Sequence, residues 1–212
     1  MPRYALSTWR SSAESEGSDG LNSPWRSARQ SQSLPSAHFR VFSSVGLSVL
    51  DLLHRVTRPH DGILGLVPGL AGMHDIDDYP EAKPVPGLVV YRYDSPLFFA
   101  NAQDFTKRAL AAVDSAKSPT RWFLLNAEAN IAVDLTAVDA LEALRQELEK
   151  RGIVLAMARV KQDLREELQR AGLIGRLGES RVFMTLPTAV NTYVEWYVDT
   201  FGEPPEGFRP TP

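Results

Sequence analysis

The chain has 212 residues, 43% of them hydrophobic, so it can bury one ordinary core, and a second full domain would be cramped. Its formal net charge of −3, without any long basic run, argues against electrostatic capture of nucleic acid. Cysteine is absent, which excludes disulfides, thiolate catalysis and zinc–thiolate sites and fits a reducing compartment.

Residues 1–43 read as a disordered, serine-rich segment, with ten serines in the first 40 positions and few aliphatics. Such a composition cannot bury enough apolar surface to offset chain entropy. It also lacks the apolar core of a secretory signal, and Glu14, Glu16 and Asp19 count against a transit peptide. Residues 44–59 predict a helix: Val45, Val49, Leu52, Leu53 and Val56 follow helical spacing, Arg55 and Arg58 suit its last turn, and Pro59 ends it. The run "VFSSVGLSVLDLL" carries Asp51 and is shorter than the roughly 18–20 apolar residues of a membrane span. From His60 to Gly87 glycine and proline dominate, with an edge strand expected at Ile63–Val67 and a loop over "HDIDDYPEAKPVPG".

A regular alternation begins at Leu88. "LVVYRY" reads as a strand, Leu97–Phe99 as a second short one, and Phe105, Ala109, Ala112 and Val113 mark a helix capped by Asn101 with Asp104 three residues on. "RWFLLNAE" is a buried strand, and Leu135, Val138, Leu141, Leu144 and Leu148 recur at helical spacing until Gly152. "IVLAMARV" reads as a buried strand, Leu164, Leu168 and Ala171 as a helix face, "RVFMT" as a short strand, and Val190, Val194 and Tyr197 as a last helix. Strands alternating with helices predict an α/β domain over residues 60–200, a mostly parallel central sheet of four to five strands flanked by helices. Residues 201–212 form a proline-rich tail that should be flexible.

Chemistry is sparse. No phosphate-loop motif is present, and "GLVPGLAG" lacks the strand and helix of a dinucleotide fingerprint. His74, Asp75, Asp77 and Asp78 lack the spacing of a standard metal site and read as a solvated acidic loop. All four histidines precede residue 75, which argues against imidazole catalysis in the core. Glu128 and Asp134 could form a carboxylate pair, but a strand-end charge and a helix cap explain them more simply. The informative stretch is "NAEANIAVDLTAVDALEAL", where Asp134 and Thr136 are both good N-caps and Thr136 with Asp139 makes a capping box. Such a tip, at the carboxyl end of a central strand, is where open α/β sheets bind ligands. Asp134, Leu135 and Thr136, with Asn130 in the preceding loop, are the candidate regulatory or partner-binding residues.

Strand, loop, Asp134-Leu135-Thr136, helix, and then "RGIVLAMARVKQDLREELQRAGL" resemble the STAS domain shared by SulP-type sulfate permeases and anti-sigma factor antagonists. "DIDDYPEAKPVPGLVVYRYDSPLFFANAQDF" is similar to the start of a permease STAS domain, "SVGLSVLDLLHRVTRPHDGILGLVPG" to the end of the last membrane helix and its exit, and "RVFMTLPTAV" to the closing strand and helix. The resemblance implies the STAS fold and a non-catalytic regulatory or assembly domain on the cytoplasmic side of a sulfate or related anion permease. Its partners would be the permease membrane domain or other cytosolic regulatory proteins. A stand-alone antagonist-like signalling protein, binding a protein partner or nucleotide, is the alternative. Antagonists carry Asp-Ser-Ser-Gly and are phosphorylated on the first serine; Leu135 holds that position here, which leaves Thr136 as a shifted phosphoacceptor. Nucleotide binding follows from family analogy alone, and no cofactor, metal or nucleic acid is expected. Polar residues precede position 44, where a permease carries membrane spans, so a shortened or frame-disrupted product is expected unless the protein is stand-alone.

Overall fold

The structure is a computed structural model that describes residues 37–57, 59–130 and 132–208. The serine-rich segment up to residue 36, Arg58, Ile131, the last four residues and the side chains of residues 37–40, Leu53, Arg55 and Val56 lie outside the described residues. The chain divides into two units, residues 1–44 and 45–212.

Helix α1 (Ala37–Thr57) begins earlier than the spacing predicts, so part of the segment expected to be disordered is helical. Val45, Leu47, Val49, Leu50 and Leu52 are exposed along it. No helix among the described residues is long and apolar enough to cross a membrane.

The remaining elements are β1 (Asp61–Leu66), β2 (Met73–Asp75), β3 (Leu88–Tyr93), α2 (Ala102–Asp114), β4 (Trp122–Asn126), α3 (Leu135–Lys150), β5 (Val154–Ala158), α4 (Gln162–Arg170), α5 (Leu173–Leu177), β6 (Val182–Phe183) and α6 (Leu186–Phe201). The sheet has six strands in the order β2-β1-β3-β4-β5-β6, against the four to five expected. β3, β4, β5 and β6 run parallel, while β1 pairs antiparallel with both β2 and β3. β1 is therefore an inner strand. The edge is β2, cut from the stretch read as loop: its backbone pairs with Leu64–Leu66, and sequence patterning cannot reveal pairing by so short a strand. Leu97 makes a single bridge to Val133, so Leu97–Phe99 is not a strand.

The two faces of β4 explain its unbroken apolar run. Phe123 and Leu125 face one core with α2, α3, α4 and α5, while Trp122 and Leu124 face a second core with α6. Phe105 of α2 and Leu141 and Leu144 of α3 are almost wholly buried on the first face. On the second, Trp122, Tyr193 and Trp196 stack ring against ring at 5.6–5.8 Å. In the part of the tail that is described, Pro205 is buried and Phe208 packs on this second core. Gly87, at φ 78°, is required: a Cβ there would lie 2.4 Å from the Tyr193 hydroxyl, which donates to the Pro86 carbonyl at 2.7 Å.

Polar ties hold the layers in register. The Tyr91 hydroxyl donates to Asp61 at 2.7 Å, and Arg108 of α2 bridges Asp61 and Asp104. On α3, Glu142 accepts from Arg145 at 2.9 and 3.0 Å, from Gln146 at 2.8 Å and from Arg176 of α5 at 3.0 Å. The Arg145 hydrogen bonds hold the Glu142 carboxyl down at about 2, helped by Gln146 and Arg176 and opposed by burial. A depressed folded-state pKa contributes stability that is complete above the unfolded carboxylate value and lost as pH falls toward 2. Glu142→Gln should therefore cost about 1 kcal/mol at pH 7. The wild-type advantage in thermal midpoint should persist down to about pH 5 and shrink toward zero near pH 2, which a pH series of melts would check.

Candidate functional site

The tip predicted from sequence is assembled at the carboxyl ends of β3 and β4 from two loops and the start of α3. Asp134 is its rivet. Its Oδ1 accepts from Ala137 N at 2.8 Å, capping α3, and its Oδ2 accepts from Phe99 N at 2.8 Å, tying the β3–α2 loop to the β4–α3 loop. The Leu97–Val133 bridge and a hydrogen bond from Val133 N to Glu167 of α4, at 3.1 Å, fix the same loops.

Two asparagines work inside the tip. Asn101, fully buried, does not cap α2 as predicted: its Oδ1 accepts from Phe98 N at 2.9 Å, and its Nδ2 donates to Pro96 O at 2.9 Å and Ser95 Oγ at 3.2 Å. It folds the turn before the helix, while Asp104 pairs with Arg108 instead of closing a capping box. Asn130 is likewise buried and donates to Ser95 O at 2.6 Å and Tyr93 O at 3.3 Å. Of the predicted site residues it is the one held away from the surface, so it supports the loop from within.

Thr136 is exposed at the second helical position, and the cap belongs to Asp134, so no Thr136–Asp139 capping box forms. Leu135 opens the helix with 76% of its surface exposed. A second exposed apolar residue is Phe99: read from sequence as the end of a short strand, it is 71% exposed on the loop that Asp134 holds. Its ring meets Phe98 edge to face at 5.6 Å. Two adjacent phenylalanines after a strand give no sign of which one turns outward, since the loop geometry that decides it depends on long-range bonds to Asp134.

The remaining candidates separate. Glu128 pairs with Arg159 and not with Asp134. Asp75, read as part of a solvated loop, is buried and holds Arg92 at 3.2 Å, His60 at 3.3 Å and the Asp77 amide at 3.1 Å. Among the described residues, no group of three or more histidines and carboxylates is arranged to hold a metal ion.

A family model described as the STAS domain matches residues 79–189. The chain belongs to the STAS domain family. It is 64% identical over 155 residues, or 73% of its own length, to a probable sulfate transporter of Mycobacterium tuberculosis, of which those residues are 28%. It is 30% identical over 166 residues to high affinity sulfate transporter 2 of Stylosanthes hamata, covering 74% of this chain and 25% of that protein. The chain thus spans about a quarter of the length of these curated relatives. Among solved structures, the murine Solute Carrier 26 family member A9 anion transporter shares the fold, with a TM-score of 0.64, 23% identity, and coverage of 72% of this chain and 25% of that one.

Proposed function

We propose that the chain works as the cytosolic regulatory and assembly domain of a SulP-type transporter of sulfate or a related inorganic anion, acting by contact and not by catalysis. The carrying observation is the apolar pair Phe99 and Leu135, both largely exposed on a tip that Asp134 holds rigid. Covering each side chain with a partner surface is worth about 1.5–3 kcal/mol, and a preformed tip loses little entropy on docking. Similarity to sulfate transporters supports the membrane domain of such a permease as the partner, with another cytosolic regulatory protein as the other candidate. Leu135 replaces the serine that antagonists phosphorylate, which favours constitutive contact, and a phosphoryl group on neighbouring Thr136 would weaken it by charge.

The test is photocrosslinking in the Mycobacterium tuberculosis relative, with its matched segment replaced by the corresponding part of this chain. A benzophenone side chain in place of Leu135 should crosslink to membrane-domain peptides. The same group in place of Lys150, exposed at the far end of α3, should not. Equal labelling from both positions would contradict docking through the tip.

A further inference from the structure

On the α6 face, at the opposite side of the sheet from α2 and α3, a cavity of about 550 Å³ opens where the strands end. The registers place Gly62, Arg92, Asn126, Ala158 and Phe183 in one row across β1, β3, β4, β5 and β6. Asn126 stands between a small residue and a paired guanidinium. Its carboxamide is 3% exposed and lines the cavity, and its Oδ1 has no hydrogen-bond donor. A buried acceptor left unpaired costs about 1–3 kcal/mol; Asn130 Oδ1 shares that state, but of the two asparagines it is Asn126 that lines this cavity. Leu64, Leu66, Met73, Leu186, Pro187 and Val190 supply the apolar part of the lining, and Glu128 and Asn191 stand among its polar residues.

Two arginines line the cavity, and their states differ. Arg92 is committed to the buried Asp75 at 3.2 Å and lies 3.0 Å from Asp94 by a charge contact in which Nε lacks an aligned acceptor. Arg159 meets Glu128 in an ion pair whose members are 44% and 55% exposed, so a competing anion can replace Glu128 there. Arg159 is also the one non-glycine with positive φ, 58°, among the described residues, a conformation that costs about 1 kcal/mol and that concentrates at functional sites.

We infer that this cavity is a binding site for a small organic acid whose hydrogen-bond donor reaches Asn126 Oδ1, whose apolar body fills the walls and whose carboxylate meets Arg159. The volume falls in the range of small-molecule sites, about 300–1,000 Å³. An inorganic anion at Arg159 would leave the apolar side chains of the cavity uncovered, so the ligand that fits has an organic body. The site lies on a different face from the tip and does not depend on what the tip docks.

The experiment titrates the full chain with 4-hydroxyphenylacetate and follows the Asn126 side-chain amide by NMR. Phenylacetate lacks the donor, 4-hydroxyphenylethanol lacks the carboxylate, and sulfate and phosphate lack the body. The expected result is saturable binding of the first probe, with either organic control at least about 10-fold weaker. Arg159→Ala should weaken the first probe by a similar factor, and Asn126→Ala should weaken it too without lowering the thermal midpoint, since it removes an unpaired group. For Asn126→Ala the binding is read from backbone amides of β5. No shift up to about 10 mM, equal binding by the Arg159→Ala variant, or equal shifts from sulfate or phosphate would each overturn the inference.

Discussion

Asn101→Ala is expected to lower the unfolding free energy by about 3 kcal/mol. The side chain is fully buried and makes three hydrogen bonds: one from Phe98 N and two to Ser95 and Pro96. Truncation removes all three and leaves the Phe98 amide without its acceptor and the buried Ser95 hydroxyl without its donor, while the Pro96 carbonyl keeps the Ser95 Oγ donor at 3.0 Å. Urea unfolding should show a lower midpoint with an unchanged slope, the signature of lost stability in an otherwise similar native state. Asn101→Asp keeps the acceptor for Phe98 N but loses both donors, so it should fall between wild type and alanine. A loss below about 1 kcal/mol for the alanine variant would mean that the turn is held by other contacts.

Asp134→Ala is expected to cost about 2 kcal/mol, combining a lost helix cap with a lost charge-assisted bond to Phe99 N. The same unfolding measurement separates the two residues that look interchangeable in sequence. Thr136→Ala, at an exposed position without the cap, should stay within about 0.5 kcal/mol of wild type. Asp134→Asn retains an acceptor oxygen and should recover roughly half the loss. If Thr136→Ala proved the costlier change, the capping assignment would be reversed. Asp134→Ala should also free the loop bearing Phe99, so its effect on partner contact ought to exceed its effect on stability.

The parallel sheet and its helices were legible because burial on two faces writes itself into composition: "WFLLN" and "VLAMA" can only be covered strands, and the spacing from Val138 to Leu148 can only be a one-sided helix. The antiparallel edge was not, because Met73–Asp75 is three residues long and is defined by its pairing with β1. The tip was half legible. Its place follows from local rules, which offer Asp134 and Thr136 alike as the cap, whereas Phe99 turns outward because Asp134, 35 positions away, accepts its amide. Asn101 shows the same limit. An asparagine before a helix reads as a cap, yet here the three-residue reach back to Phe98 wins, and only the folded turn reveals it. Likewise, Asp75 looks solvated among its acidic neighbours but is buried against Arg92, a partner 17 positions away that no local pattern names.

The role proposed for the tip puts the apolar pair Phe99 and Leu135 at the contact with the transporter's membrane domain. The most direct measurement is uptake of radiolabelled sulfate by the Mycobacterium tuberculosis relative carrying the corresponding part of this chain, with Phe99→Asp and Leu135→Asp introduced together. Both positions are exposed, so the domain should keep its urea midpoint, while docking two carboxylates against an apolar partner should cut uptake at least about 10-fold. Uptake and surface abundance that both match the unsubstituted chimera would contradict the account.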